Sequence, residues 1–297
     1  MKGVGGKPGW AWIFILEGLL TVLFGIASFW FVYDFPSEAK FLTAEDRARV
    51  ILRLRADKQS SAHHESFSWV YLTSSLLDWK MWLGMAIYMG TTVPLYAFSI
   101  FLPTIIRDLG WSSTVVQTQL YSVPPYVAAA ILTVVVGWLA DRTRSRGIYN
   151  IASSLLGAVG FVMLLAVKNP GVQYAGTFLG AMGIYPCISN TITWMSNNIE
   201  GVYRRGVVLG FVIGWGNLNG IVSSNIYFSP PHYTEGHGIV LAFMLVFLFG
   251  GSLLMTVLLR LENRKRLLGK RDEWLEGKTE EEIREMGDRR PDFIYTP

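Results

Sequence analysis

The sequence predicts an all-α membrane protein with seven transmembrane helices, and three observations carry that prediction. Seven stretches stay apolar for the roughly 20 residues a helix needs to cross a hydrocarbon core. The segments joining them alternate between cation-rich and cation-poor, the pattern of loops on the two sides of a membrane. The composition is skewed, with 51% of 297 residues hydrophobic, 16% charged and a mean hydropathy of +0.34; soluble domains carry about 25% charged residues. Helix follows because a segment in lipid must satisfy its own backbone donors, and these runs are too long for barrel strands.

The spans are expected at 10–33, 81–106, 120–140, 148–167, 172–198, 207–228 and 238–259. The first is too long for a cleavable signal peptide, carries Glu17, and lacks a small-residue cleavage site after it. The domain organisation reads as a first helix (1–33), a central loop (34–80), a six-helix bundle (81–260) and a charged tail (261–297). In the central loop Thr43 stands three residues before Asp46, a helix start, and Val50, Ile51 and Leu54 form an apolar stripe, so a short amphipathic helix on the membrane surface is expected. Residues 59–66 read as linker, and His63 and His64 have no cysteine or third histidine nearby with which to hold a metal. The six later spans split into two sets of three, 81–167 and 172–259, the count of one half of many secondary transporters. In the tail Thr279 and Glu282 have capping-box spacing, so a short solvated helix and a loose end are expected.

Loop charge sets the topology. Lys40, Arg47, Arg49, Arg53, Arg55, Lys58 and Lys80 share one loop; Arg142, Arg144 and Arg146 share another; Arg204 and Arg205 a third; Arg260, Arg264, Lys265 and Arg266 follow the last span. The intervening loops hold only Arg107, only Lys168, and no Lys or Arg at 229–237. The central loop and the C-terminus are therefore expected in the cytosol. The net charge of +4 sits beside spans and gives no nucleic-acid signal. His232 and His237 fall in the last outer loop and are expected to be exposed. One cysteine, Cys187, excludes an internal disulfide.

Polar residues inside spans are costly in lipid, so they face a cavity or another helix. Asn190, Thr193 and Asn197 share one helical face beside Trp194; Asn217, Gly220 and Ser224 share another; Tyr88, Thr92 and Ser99 a third. Pro94 and Pro186 are expected to interrupt their helices, as binding helices of transporters often are interrupted. Each face has two readings: contact with a carboxylate or heterocycle, or hydrogen bonding between helices. Gly206, Gly210 and Gly214, with Gly216 and Gly220, recur every four residues, which allows close helix approach. Glu17, the one carboxylate well inside a span, is either a proton-coupling acid or a structural one.

Several strings resemble a known family: GWAWIFILEG at 9–18, FPSEAKFLTAEDR at 35–47, FLPTIIRDLGWSS at 101–113, VPPYVAAAILTVVVGWLADRTRSRG at 123–147, and WMSNNIEGVYRRGVVLGFVIGWGNLNGIVSSNIY at 194–227. The chain resembles the fungal allantoate/nicotinate/pantothenate permease group of the anion:cation symporter family, within the major facilitator superfamily. The resemblance implies the C-terminal six-helix half of a major facilitator fold plus one preceding helix, the family's sixth. It further implies a proton-coupled carrier of small organic anions in the plasma membrane, from which the N-terminal half is missing, so that this fragment is expected to be inactive alone. Gly137, Asp141, Arg142 and Arg146 match the superfamily's loop motif, whose contacts help latch one conformation; the motif's later glycine is replaced here by Arg144.

The substrate-binding candidates are therefore Tyr88, Thr92, Asn190, Thr193, Trp194, Asn217 and Ser224. The expected partners are the bilayer, a small organic anion and a proton. No catalytic motif, metal site or cofactor loop is present, so an enzyme is disfavoured. A seven-helix receptor and a non-functional truncated product are the alternatives. No Lys or Arg lies deep in a span, so any cation that pairs with the anion is expected in the missing half.

Overall fold

The structure, a computed structural model, describes residues 3–33, 35–56, 69–110, 114–227 and 233–297. His63, His64, His232 and the 59–66 linker lie outside the described residues. The chain divides into two units, Met1–His64 and Glu65–Pro297.

In the first unit a 3-10 turn (Val4–Gly6) precedes helix α1 (Gly9–Phe31), with Pro8 at its N-cap. Apart from Glu17, α1 is largely apolar around its circumference and buries none of its residues, as suits a helix whose surroundings are lipid or other helices. The expected loop helix is α2 (Ala44–Ala56). Thr43 caps it by accepting the Asp46 N–H at 3.2 Å, and Glu45 and Asp46 place negative charge in its first turn.

The second unit contains α3 (Trp69–Leu76), α4 (Trp79–Asp108), α5 (Val115–Thr143), α6 (Gly147–Ala166), α7 (Pro170–Asn197), α8 (Val202–Leu218), α9 (Gly220–Ser224), α10 (Thr234–Phe243), a π-helical segment (Met244–Gly250), α11 (Gly251–Leu267) and α12 (Glu280–Glu285). Several helices begin earlier than hydropathy indicates, because polar side chains extend them. Asp78 accepts the Lys80 N–H at 3.0 Å, Thr114 the Gln117 N–H at 3.2 Å, and Asn169 the Gly171 N–H at 2.9 Å. Thr279 and Glu282 exchange bonds across the first turn of α12, at 3.3 and 2.8 Å.

Among the described residues, six helices are long and apolar enough to cross a membrane: α1, α4, α5, α6, the α8–α9 pair, and the run from α10 through α11. α7, expected as a further span, is 28 residues long but is not among the six. Its glycines, threonines and asparagines lower its hydropathy, and it packs on α4, α5, α6 and α8, where protein replaces lipid around much of its surface.

The prolines do not break their helices. α4 runs through Pro94 and Pro103, and α7 through Pro186. The discontinuities lie elsewhere, at Asn219 between α8 and α9 and in the π-helical segment. His237, expected in an exposed loop, is 3% exposed, because the chain winds into α10 before reaching it; its Nδ1 lies 2.9 Å from the Tyr227 hydroxyl.

Close helix approach is built on α6 and α7. A Cβ on Gly183 would lie 2.2 Å from the Gly157 Cα, and one on Gly160 would lie 2.4 Å from the Gly180 N. Backbones that meet this closely gain the van der Waals contact that drives association in lipid. The α8 glycines behave differently: a Cβ on Gly206, Gly210 or Gly214 would find no described atom within 4 Å, whereas one on Gly216 would meet the Tyr88 ring at 2.3 Å.

Candidate functional site

The α4 face bearing Tyr96 and Ser99 looks out between α7 and α8. The Tyr96 hydroxyl donates to Asn217 Oδ1 of α8 at 2.6 Å. Ser99 Oγ lies 2.8 Å from the Tyr185 hydroxyl of α7. The Tyr185 ring meets Tyr126 of α5 edge-on, with centroids 5.6 Å apart. At 1.5 Å per residue, Tyr96, Tyr185 and Asn217 stand about 26, 18 and 22 Å from the helix ends at Trp79, Asn197 and Val202. They thus lie about 4, 2 and 6 Å from the midpoints of α4, α7 and the α8–α9 run. The result is a patch of hydroxyls, one amide and aromatic edges, partly exposed, able to donate and accept hydrogen bonds and to stack on a planar ring.

The candidates read from sequence are distributed around this patch. Asn217 belongs to it. Thr92 and Tyr88 lie buried one and two turns below on α4, against Gly216, and the Thr92 hydroxyl donates to the Tyr88 carbonyl at 3.0 Å. Thr193 and Ser224 bond to backbone carbonyls of their own helices, at 2.8 and 3.1 Å. Asn190 and Trp194 face the other way on α7. Asn190 Nδ2 donates to the Arg146 carbonyl (2.9 Å) and to Asn150 Oδ1 (2.8 Å), and Trp194 Nε1 donates to the Thr296 carbonyl (2.8 Å). The face predicted for Asn190, Thr193 and Asn197, with Trp194 beside it, is split: Asn190 bonds to the start of α6, while the Thr193 hydroxyl bonds back to its own helix.

Sequence reasoning passes over Tyr96, Tyr126 and Tyr185. Tyr96 carries a usable signal: it is an aromatic hydroxyl one turn before Ser99 on the same face.

The turn between α5 and α6 is a second polar centre. Arg146 pairs with Asp141 and donates from Nη1 to Asn190 Oδ1 at 3.1 Å, anchoring the turn to α7. Burial pushes its guanidinium below its ordinary value, while Asp141 pulls the other way. Arg142 stacks over the Trp138 ring at 5.2 Å. Arg144, which stands where the family motif has glycine, adopts the left-handed conformation (φ 49°, ψ 34°) that closes α5. Gly137 faces open space.

Comparison with known proteins gives these features a context. A family model described as Major Facilitator Superfamily matches residues 3–224. An uncharacterised transporter of Schizosaccharomyces pombe is 34% identical over 296 residues, covering 98% of this chain and 58% of its own length. A second from that organism is 34% identical over 240 residues, covering 80% of this chain and 47% of its own length. The high-affinity nicotinic acid transporter of Saccharomyces cerevisiae is 26% identical over 300 residues, covering 98% of this chain and 54% of its own length. The chain thus spans about half the length of the curated relatives it matches.

Proposed function

The chain belongs to the Major Facilitator Superfamily, and on that premise we propose that it forms the second lobe, with one preceding helix, of a secondary transporter that takes up a small organic anion together with a proton. The observation that carries this reading is the mid-depth patch of Tyr96, Ser99, Tyr185 and Asn217 on the open side of the bundle. The name of the nicotinic acid relative supports a carboxylate on a flat ring as the class of substrate. In this proposal the patch hydrogen-bonds that substrate, Tyr126 flanks it, and Thr193 and Ser224 line the approach. Tyr88, Thr92, Asn190 and Trp194 act from behind, holding α4 and α7 in register. The cation that offsets the anion belongs to the other lobe, which lies outside this chain, so the chain alone does not transport.

The open glycine face of α8 supports a partner helix packed there, since three positions spaced by four present backbone to open space. Asp141, paired with Arg146 but with its side chain 70% exposed, faces the same partner lobe in this reading, with Gly137 and Arg142 beside it. The reading puts the α5–α6 turn and the tail in the cytosol and the protein in the plasma membrane.

The test is a chimera in which the preceding portion of the 34%-identical S. pombe transporter is fused to this chain. Yeast expressing it should accumulate radiolabelled nicotinate, pantothenate or allantoate, more at acidic than at neutral external pH, and a protonophore should abolish the uptake. A chimera that reaches the cell surface and accumulates none of these acids, or whose uptake ignores the protonophore, refutes the proposal.

A further inference from the structure

A dense polar network lies under residues 286–297, the stretch expected to be a loose end. Asp288 is 0% exposed; its Oδ2 accepts from Lys80 Nζ at 2.6 Å and its Oδ1 from Arg204 Nη1 at 2.5 Å. Both cations also reach Asp78 Oδ2, at 3.2 and 2.5 Å. Two acids and two bases thus close a buried ring that joins the start of α4, the first turn of α8 and the tail. Arg266 of α11 donates to the carbonyls of Asp288 (3.0 Å), Arg290 (3.0 Å) and Phe293 (2.5 Å), and to the Tyr295 hydroxyl (2.9 Å). Asn263 of α11 exchanges two bonds with the Tyr295 backbone, both 2.8 Å. The Thr296 N–H donates to Asn198 Oδ1 at 2.8 Å, and the Thr296 carbonyl takes bonds from Trp194 and Asn198 at the end of α7. The Pro297 carbonyl accepts the Arg146 and Gly147 N–H groups at the start of α6, at 2.8 and 3.3 Å.

We propose that residues 286–297 are a keystone strap that fastens one end of α4, α6, α7, α8 and α11 into a single rigid block, with Asp288 as its anchoring charge. Nothing else among the described residues joins all five ends. Undocking would leave Lys80 and Arg204 sharing Asp78 alone among the described residues, and would strip Arg266 of four acceptors; buried cations bereft of their partners are strongly disfavoured. The strap also holds the motif turn, since Pro297 binds the backbone of Arg146 and the Arg146 side chain holds Asp141. A lobe that rocks as one body is served by a fastening that ties these five helix ends to one another. The inference stands whatever substrate the transporter takes.

Hydrogen–deuterium exchange on the full chain in lipid nanodiscs tests it. The amides of Phe293, Tyr295 and Thr296 should exchange as slowly as those of the helix ends they touch. Asp288→Asn should speed exchange by roughly tenfold or more in the strap and in all five fastened ends, leaving the opposite ends near Asp108 and Pro170 unchanged. Asn263→Ala leaves the charge ring intact and provides the same readout, with a smaller acceleration at the same places, should Asp288→Asn fail to fold. Unprotected strap amides in the unaltered chain, or a variant that quickens the strap and spares the helix ends, would overturn the proposal.

Discussion

Replacing Gly183 by alanine tests the α6–α7 interface most directly. The added Cβ would stand 2.2 Å from the Gly157 Cα, 2.3 Å from the Gly157 N and 2.7 Å from the Ser153 carbonyl oxygen. Carbon atoms settle at about 3.5–4.0 Å, so the two backbones must part by about 1.3 Å or more. All three obstructing atoms are backbone, which cannot swing aside. Overpacking of this kind costs about 1–3 kcal/mol. At roughly 2–4 °C per kcal/mol for a domain of 150–250 residues, the expected fall in melting temperature is about 2–12 °C. Gly157→Ala should cost less, because its nearest obstacle is the flexible Met244 Cε at 2.4 Å, with the Gly183 Cα at 3.1 Å. Gly210→Ala meets nothing within 4 Å and should not lower the melting temperature of the isolated chain. The molecule supplies its own probe: Cys187 is the single cysteine, is 1% exposed, and donates to the Gly183 carbonyl at 3.3 Å. A thiol-reactive fluorophore therefore reports the opening of this interface as the detergent-solubilised protein is heated. Equal melting temperatures for Gly183→Ala and Gly210→Ala would refute the reasoning.

Three further outcomes are expected. In the chimera, Tyr185→Phe and Asn217→Ala should each raise the KM for the organic acid about tenfold, the effect of losing one hydrogen bond to the substrate, while surface expression is unchanged; uptake kinetics check this. Burial would raise the Asp288 carboxyl, but Lys80 and Arg204 outweigh it and hold the group below the ordinary range. Because the folded-state value is depressed, its stabilising contribution is complete above the unfolded Asp value of about 4 and is lost as pH falls through the folded value. Melting temperature plotted against pH should therefore drop on the acid side in the unaltered chain and drop less steeply in Asp288→Asn. Arg144→Gly should stabilise the lobe by about 1 kcal/mol, since a left-handed residue with a Cβ carries about that much strain; the Cys187 melting assay reads it.

The long apolar helices were legible because lipid imposes length and hydropathy directly on the sequence. The two capped helices, α2 and α12, were legible because a cap and its partner stand three residues apart. α7 was legible as a helix and less so as a span, because a helix surrounded by others need not be greasy. What stayed hidden depends on which neighbour a side chain meets. The glycines of α8 and those of α6 and α7 have similar spacing, yet one set faces open space and the other backbone. Lys80 reads as an ordinary loop cation until folding brings Asp288 to it across 208 residues of sequence. Pro94 and Pro186 suggest interruptions that the surrounding helices prevent. The mid-depth patch is half visible: Asn217 and Ser99 stand out as polar intruders, while their tyrosine partners pass as ordinary aromatics.

The widened turn at Met244–Gly250 fixes how the rest of that helix is aimed. Its backbone fits against α4 so closely that a Cβ on Gly90 would stand 2.4 Å from the Leu248 N. A π turn holds one more residue than an α turn, so each residue beyond it is rotated by about 100° from where an uninterrupted α-helix would put it. Met255, Leu259 and Arg266 point inward on that account. Relaxing the segment to ordinary α pitch at unchanged length would swing these three toward lipid or solvent and detach Arg266 from the tail it grips, whereas deleting a single residue from it would remove the bulge and leave them facing inward. The bulge works as an indexing step, a register mark written into the backbone that tells the far end of the helix which way to face.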